Sequence, residues 1–240
     1  MGIGWAIMGA RVLMTGGKAM FSLFKKKSLA GMKANVPRDE MIRRSRVLII
    51  DDEEPEIIKD LRAAHFSVDY LPDVSPEQMS YLDQGQYDLI LLDFGNVGKH
   101  FGKDEGLSLL QHIRRVNPAV VVIAYTSKFL GTEHADFYRR ADLVLAKDAG
   151  IHDSFAKVEQ GLRKAHSFEN LWPALLSVCD ITPGSAQDLE WQNLLVRGID
   201  KQKFRDRLKA KVLEALGSDG AQKLGSALLG RLGDLISHAH

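Results

Sequence analysis

Acidic side chains follow the ends of two apolar segments in this chain of 240 residues. Asp51 and Asp52 come directly after residues 47 to 50, and Asp93 comes directly after residues 88 to 92. Carboxylate oxygens are the ligands that Mg²⁺ prefers, and neighbouring carboxylates repel one another unless a cation lies between them. A carboxylate beside such a cation can attack phosphorus and form an acyl phosphate. The pattern therefore indicates a divalent-cation site that holds a nucleophilic carboxylate.

Two further polar residues also end apolar segments. Thr126 follows residues 120 to 125, and Lys147 follows residues 143 to 146. A hydroxyl and an ammonium group are suited to bind phosphoryl oxygens. Because the carboxyl ends of parallel strands share one edge of a sheet, where ligands bind, we expect both side chains to lie near the carboxylates.

The elements that would position these residues alternate along residues 46 to 166. Five apolar runs predict strands, at residues 47–50, 67–71, 88–92, 120–125 and 143–146. Apolar residues at helical spacing lie between or after them, at residues 57–64, 107–116 and 155–165. This alternation predicts an α/β domain with a five-stranded parallel sheet, doubly wound by right-handed crossovers.

The segment before this domain is basic. The first 46 residues contain ten Lys or Arg and two Asp or Glu, and residues 1 to 45 are predicted to be a flexible arm. A short membrane-surface anchor at residues 20 to 27 is the alternative, because apolar side chains there precede three lysines. Translation from Met20 is a third possibility.

Residues 167 to 240 predict a smaller, all-helical region. A short helix is expected at residues 171 to 176, and longer ones at 201 to 217 and 219 to 236. The 12 basic and 11 acidic residues from position 150 onward give no electrostatic footprint for nucleic acid, so DNA binding is disfavoured. Leucines interleaved with glycines in the last helix favour packing within the chain, with a homodimer as the alternative.

Four short motifs carry a resemblance to a known family. They are Ile50-Asp51-Asp52-Glu53, Leu91-Leu92-Asp93, Tyr125-Thr126-Ser127 and Ala146-Lys147. In their order and in the strand that each one ends, they resemble the marks of a response-regulator receiver domain. The resemblance covers residues 46 to about 166 and implies a flavodoxin-like fold.

The resemblance implies a role for each position. Asp93 would accept a phosphoryl group from a histidine kinase or a histidine phosphotransfer protein. Mg²⁺ would be bound by Asp52 directly, by Asp51 with assistance from water, by Asp93, and by the backbone carbonyl of Gly95. Thr126 and Lys147 would contact the phosphoryl group and relay its presence to a downstream protein partner. Such a protein is a phosphorylation switch rather than a conventional enzyme.

The chain also departs from the family pattern. Asp148 stands where a proline usually follows the lysine, Val144 stands where an aromatic switch residue is usual, and the loop at residues 95 to 106 is longer than usual. The loop is a shield for the acyl phosphate, a surface for a partner, or a neutral insertion. These departures keep a second hypothesis open, a phosphorylation-independent pseudo-receiver that acts as an interaction module. A phosphatase with Asp93 as nucleophile ranks last, because Gly95 stands where its second aspartate is needed.

The cysteine content indicates the compartment. Cys179 is the sole cysteine, which excludes an internal disulfide framework and favours a reducing cytoplasm. We expect it to be a buried, inert thiol, and the eight histidines show no metal-binding spacing.

Overall fold

A computed structural model describes residues 29, 32–127, 134–199, 201–217 and 219–239. Five parallel strands form one sheet in the order β2-β1-β3-β4-β5. Their bounds are Arg46–Ile50 (β1), Ser67–Leu71 (β2), Leu89–Leu92 (β3), Val121–Thr126 (β4) and Leu143–Ala146 (β5). The predicted α/β fold is therefore confirmed, with strand ends within one residue of the expected positions.

The central strands are apolar on both faces because helices cover both faces of the sheet. Along β1, Val47 and Ile49 contribute to one buried cluster, and Leu48 and Ile50 contribute to the cluster on the opposite face. Helices α2 (Ile57–Ala63) and α6 (Ile151–Ala165) cover the first face. Helices α3 (Met79–Asp83), α4 (Gly106–Val116) and α5 (Ala135–Arg140) cover the second.

The carboxylate of Asp142 contacts three of these elements. Asp142, just before β5, contacts the guanidinium of Arg114 on α4 and lies 2.7 Å from Nζ of Lys164 on α6. It also accepts the backbone N–H of Val122 in β4 at 2.7 Å. Burial alone would raise the pKa of Asp142, but its cationic and N–H partners outweigh burial and lower that pKa.

Helix α1, Arg38–Arg44, lies within the segment predicted to be a flexible arm. Met41 and Ile42 are buried in the same cluster as Val47 and Leu162. The prediction of a flexible arm up to residue 45 is therefore wrong for the part that contains α1. Because this short helix carries basic residues on its outer face, its two buried apolar residues were not recognised from the sequence. The possible anchor at residues 20 to 27 lies outside the described residues.

The all-helical region consists of four helices: α7 (Phe168–Val178), α8 (Ala186–Arg197), α9 (Gln202–Ala215) and α10 (Asp219–Ser237). They enclose a buried cluster of their own that includes Trp191, Leu208 and Leu228. No helix in the described part of the chain is both long and apolar enough to cross a membrane.

The helical region is joined to the sheet domain by direct contacts. Ala119, just before β4, belongs to the helical cluster, and its carbonyl accepts a hydrogen bond from the Asn170 side chain at 2.7 Å. A β-bridge pairs Ala34 with Ala239. The helices thus pack on the sheet domain as well as on one another.

Candidate functional site

Backbone hydrogen bonds hold the predicted site residues at one edge of the sheet. The ladder continues one residue past the strand ends, because Asp51 N–H donates to Leu71 O (3.2 Å), Asp93 N–H to Ile50 O (2.9 Å) and Lys147 N–H to Thr126 O (2.8 Å). These hydrogen bonds therefore fix the backbone from which the side chains of Asp51, Asp93 and Lys147 extend.

Three carboxylates converge at this edge. Asp51, Asp52 and Asp93 each offer one carboxylate oxygen, and these oxygens all lie within 4.8 Å of one another. Asp51 and Asp93 are buried, whereas Asp52 is exposed. The structure thus brings together the carboxylates that the sequence placed on separate strands.

Lys147 is the cation of this cluster. Its Nζ lies 2.7 Å from Oδ2 of Asp51 and 3.0 Å from Oδ2 of Asp93. Burial alone would lower the pKa of Lys147, but its two carboxylate partners outweigh burial and raise that pKa. Burial also raises the pKa of Asp51, although Lys147 opposes the shift. The cluster thus contains three carboxyl groups and one ammonium group, so a bound cation would offset its excess of acidic side chains.

These residues fit a divalent cation. Oδ2 of Asp51 is buried and has no partner with hydrogen-bond geometry among the described residues, in spite of its short contact with Lys147. The lone pairs of this oxygen that Lys147 does not engage are available to a metal ion, and Asp52 is open to the water molecules that Mg²⁺ retains. At Gly95, the proposed carbonyl ligand, a Cβ atom would find no neighbour within 4 Å, so the space beside it is open.

The carboxylate of Asp93 has a fixed orientation. Its Oδ1 accepts the backbone N–H of Phe94 at 2.8 Å, and its Oδ2 faces Lys147. Gly106, the first residue of α4, lies against this backbone, since a Cβ atom there would be 2.4 Å from the Asp93 carbonyl oxygen. From the sequence, Gly106 was interpreted only as one of the glycines that make the loop flexible, although glycine is also the residue that permits close backbone approach.

The long loop at residues 95 to 106 contacts the site. Asn96 Nδ2 donates to Oδ2 of Asp52 at 2.9 Å, and Asn96 N–H donates to the Glu105 carboxylate at 2.9 Å. Gly98 N–H donates to Asp73, which ties the loop to the segment after β2. The hydrogen bond to Asp52 gives the loop a direct connection to the candidate metal ligands. Asn96 was not singled out from the sequence.

Thr126 is the last residue of β4, the strand that lies next to β3 in the sheet. Its Oγ1 lies 3.3 Å from the hydroxyl of Tyr138 on α5. Tyr138 was likewise missed from the sequence. Val144 packs as a partly buried residue against the cluster under α4 and α5. No described peptide bond is cis, so the Lys147–Asp148 bond is trans. The two departures from the family pattern, at Val144 and Asp148, thus occur in a site where Tyr138 of α5 lies next to Thr126.

The cleft beside the cluster is strongly acidic. It has a volume of about 320 Å³, and its walls include Asp51, Lys147 and four carboxylates of the β1–α2 segment and of α2, Glu53, Glu54, Glu56 and Asp60. This surface attracts cations and repels free anions.

No protein-family model matches the chain, and no curated protein matches it. Many similar solved structures are receiver domains of the CheY-like type. One, a CheY-like receiver domain protein from Methanospirillum hungatei, is 20% identical, covers 50% of this chain and 95% of its own, and has a TM-score of 0.41.

Two further structures give similar values. The signal receiver domain of an HD domain-containing protein from Pseudomonas fluorescens is 19% identical, covers 56% of this chain and 94% of its own, and has a TM-score of 0.43. A two-component response regulator from Clostridium difficile is 21% identical, covers 50% and 97%, and has a TM-score of 0.40. The likeness concerns the fold, which the strand order and register of this chain establish on their own.

Proposed function

We propose that the chain is a response regulator that accepts a phosphoryl group on Asp93 and signals through protein contacts. The observation that carries this proposal is the convergence of three carboxylate oxygens within 4.8 Å of one another, together with the contact of Lys147 Nζ with two of these carboxylates, Asp51 and Asp93. An aspartate that only caps the following helix acts alone, so a capping role does not explain three carboxylates that converge. Three carboxylates and a lysine at one sheet edge are what a phosphoryl group and its cation require.

Asp93 is the proposed nucleophile because its carboxylate is held in place before reaction. The N–H of Phe94 fixes Oδ1, which leaves Oδ2 to form the new O–P bond while the donor's bond to phosphorus breaks. The donor would be the phosphohistidine of a kinase or phosphotransfer protein, whose imidazole leaves and takes up a proton. When bound at Asp51, Asp52, Asp93 and the Gly95 carbonyl, Mg²⁺ would neutralise the incoming phosphoryl oxygens.

Lys147 and Thr126 would respond to the new group. The ammonium of Lys147 already contacts Oδ2 of Asp93, so it can follow the charge from the carboxylate to a phosphoryl oxygen. Thr126 would turn its hydroxyl toward the same group, at the expense of its contact with Tyr138 on α5. The proposed signal is a change in the surface formed by α5, to which a downstream protein binds in the cytoplasm.

The test is incubation of the full chain with acetyl phosphate and Mg²⁺, followed by intact-mass analysis under conditions that preserve acyl phosphates. We expect one acid-labile phosphoryl group on the wild type and on Asp104→Asn, which removes an exposed carboxylate from the nearby loop. Asp93→Asn should remain unlabelled. An unlabelled wild type, or equal labelling of Asp93→Asn, would contradict the proposal.

A second candidate, a constitutive interaction module, is favoured by one contact. The hydrogen bond from Asn96 to Asp52 occupies an oxygen that the cation would use. Beryllofluoride with saturating Mg²⁺ separates the two functions, because a switch should shift the amide signals of α5 and its neighbours. A module without a switch should give the same amide spectrum with and without beryllofluoride.

A further inference from the structure

The part of the long loop that contacts Asp52 is packed onto the domain. Val97, the residue after Asn96, is fully buried in the cluster under α4 and α5. Phe101 packs partly against the same cluster, and its ring centroid lies 5.0 Å from that of His112 on α4. The position of Asn96 is therefore set by its buried neighbour.

The backbone of the loop has an unusual conformation at two residues. Asn96 has φ +60° and Glu105 has φ +48°, which lie in the left-handed region that residues other than glycine rarely adopt. The two residues are joined, because Asn96 N–H donates to Oε2 of Glu105 at 2.9 Å. Such conformations persist where the surrounding contacts impose them, often at functional sites. The loop thus fixes the backbone of Asn96 as well as its burial partner.

Two hydrogen bonds fix the side-chain amide of Asn96. Its Oδ1 accepts from Nζ of Lys99 at 3.1 Å, and its Nδ2 donates to Oδ2 of Asp52 at 2.9 Å. A lysine can only donate and an ionised carboxylate can only accept, so the amide has one orientation. Because linked hydrogen bonds polarise one another, Lys99 makes the amide a stronger donor to Asp52.

Asp52 is the carboxylate of the cluster with the greatest freedom. Asp51 and Asp93 are buried and contact Lys147, whereas Asp52 is exposed. An exposed side chain loses rotamer freedom when it binds a ligand, and a hydrogen bond that already holds it reduces that loss. A carboxylate has two oxygens, so Oδ1 of Asp52 remains available to a cation while Asn96 holds Oδ2.

We propose that Asn96 is a positioning residue, whose hydrogen bond holds Asp52 in the orientation that presents Oδ1 to a divalent cation beside Asp51 and Asp93. This inference rests on the cation site of the proposed function and adds a residue that is not itself a metal ligand. Hydrogen-bond partners of metal-binding carboxylates contribute about 10–100-fold to metal affinity. Because this hydrogen bond is exposed to water, we expect the lower limit, about tenfold.

The test measures the affinity of the full chain for Mn²⁺, which suits the same oxygen ligands as Mg²⁺, by electron paramagnetic resonance of the free ion. Asn96→Gly removes the amide and keeps the left-handed backbone, and it should weaken Mn²⁺ binding about tenfold. His65→Gly is the matched control, because His65 is exposed and has φ +67°. This control should bind Mn²⁺ as the wild type does.

Two NMR measurements separate positioning from other effects of Asn96. The methyl signals of Val97 should be the same in Asn96→Gly and the wild type, since displaced signals would assign the weaker binding to a rearranged loop and overturn the proposal. In the wild type, the side-chain N–H groups of Asn96 should exchange with water no faster in saturating Mg²⁺ than in EDTA. Faster exchange would show that the cation displaces the amide, and this measurement needs no variant.

The affinities also decide the proposal independently of phosphorylation. Unchanged or tighter Mn²⁺ binding by Asn96→Gly, or no binding by the wild type, would overturn it. A wild type that acetyl phosphate labels on Asp93, with unchanged affinity in Asn96→Gly, would refute positioning alone. An unlabelled wild type with a tenfold weaker variant would refute phosphoryl transfer and support positioning.

Discussion

The replacement of Lys147 by methionine tests the charge balance of the carboxylate cluster. Methionine keeps much of the length of the side chain but removes the ammonium group that lies 2.7 Å and 3.0 Å from the carboxylates of Asp51 and Asp93. Without Mg²⁺, these buried carboxylates would lose their nearest cation. We therefore expect Lys147→Met to be less stable than the wild type in EDTA.

The magnitude follows from the burial of the pair. Removal of one partner from a buried ion pair costs about 3–5 kcal/mol. Lys147 is 25% exposed and Asp93 12%, whereas Asp51 is fully buried, so water relieves part of the loss. We expect a loss of about 2–4 kcal/mol in the free energy of unfolding, or roughly 4–16 °C in Tm for a chain of this size.

Mg²⁺ should reverse much of this loss. A ligand that binds only the folded state at ten times its Kd adds about 1.4 kcal/mol to the free energy of unfolding. The variant site is more negative, so it should bind Mg²⁺ more tightly than the wild-type site. The Mg²⁺-dependent increase in Tm should therefore be larger for Lys147→Met than for the wild type.

The assay is thermal and urea unfolding, each with EDTA and with a Mg²⁺ series. Lys211→Met is the matched control, because Lys211 makes an exposed ion pair with Glu190 at 3.2 Å, and such pairs contribute at most about 1 kcal/mol. Equal stability of Lys147→Met and the wild type in EDTA, or equal stabilisation of the two proteins by Mg²⁺, would show that Lys147 does not balance the charge of these carboxylates.

Three further predictions concern other parts of the chain. Gly106→Ala should lower the free energy of unfolding by about 1–3 kcal/mol through overpacking. Gly230→Ala, where a Cβ atom meets nothing within 4 Å, should raise that free energy by up to about 1 kcal/mol. Denaturant unfolding measures both variants, and equal effects would show that the backbone contact at Gly106 is unimportant. Asp142→Asn should cost about 2–3 kcal/mol at pH 7. Because the folded-state pKa of Asp142 lies below its ordinary 3.8, this difference should shrink as the pH falls from 3.8 through that pKa, and a constant difference would exclude the carboxylate as the cause. The thiol of Cys179, whose pKa burial raises from 9.0 to about 11, should react about 100-fold more slowly at pH 8 than an exposed cysteine, and rapid modification of the folded chain would contradict its burial.

The sequence predicted the sheet accurately because every strand except β2 is a mainly apolar run with a polar residue at its carboxyl end. Asp51, Asp93 and Lys147 could be predicted to meet because parallel strands bring such ends to one edge. The structure adds the distances and shows that one lysine contacts two of the three carboxylates.

Features that depend on tertiary packing could not be predicted. Helices α3 and α5 have only five and six residues, too few for a helical repeat to be recognised. Helix α8 was also missed, although Ser185 caps it by accepting the Asp188 N–H. The contacts of Asn96, Tyr138 and Arg231 join segments that are far apart in the chain, so local patterns hold no signal for them.

The attachment of the helical region has a consequence for how the protein unfolds. Arg231 bonds to both Asp88 and the Ala165 carbonyl, and Asn170 bonds to the Ala119 carbonyl. A region tethered by a flexible linker melts separately, whereas regions that share buried polar contacts melt together. We therefore expect the sheet and the last four helices to unfold as one cooperative unit. If Asp93 is phosphorylated as proposed, its effect on the helices would have to pass through these packed contacts between described residues.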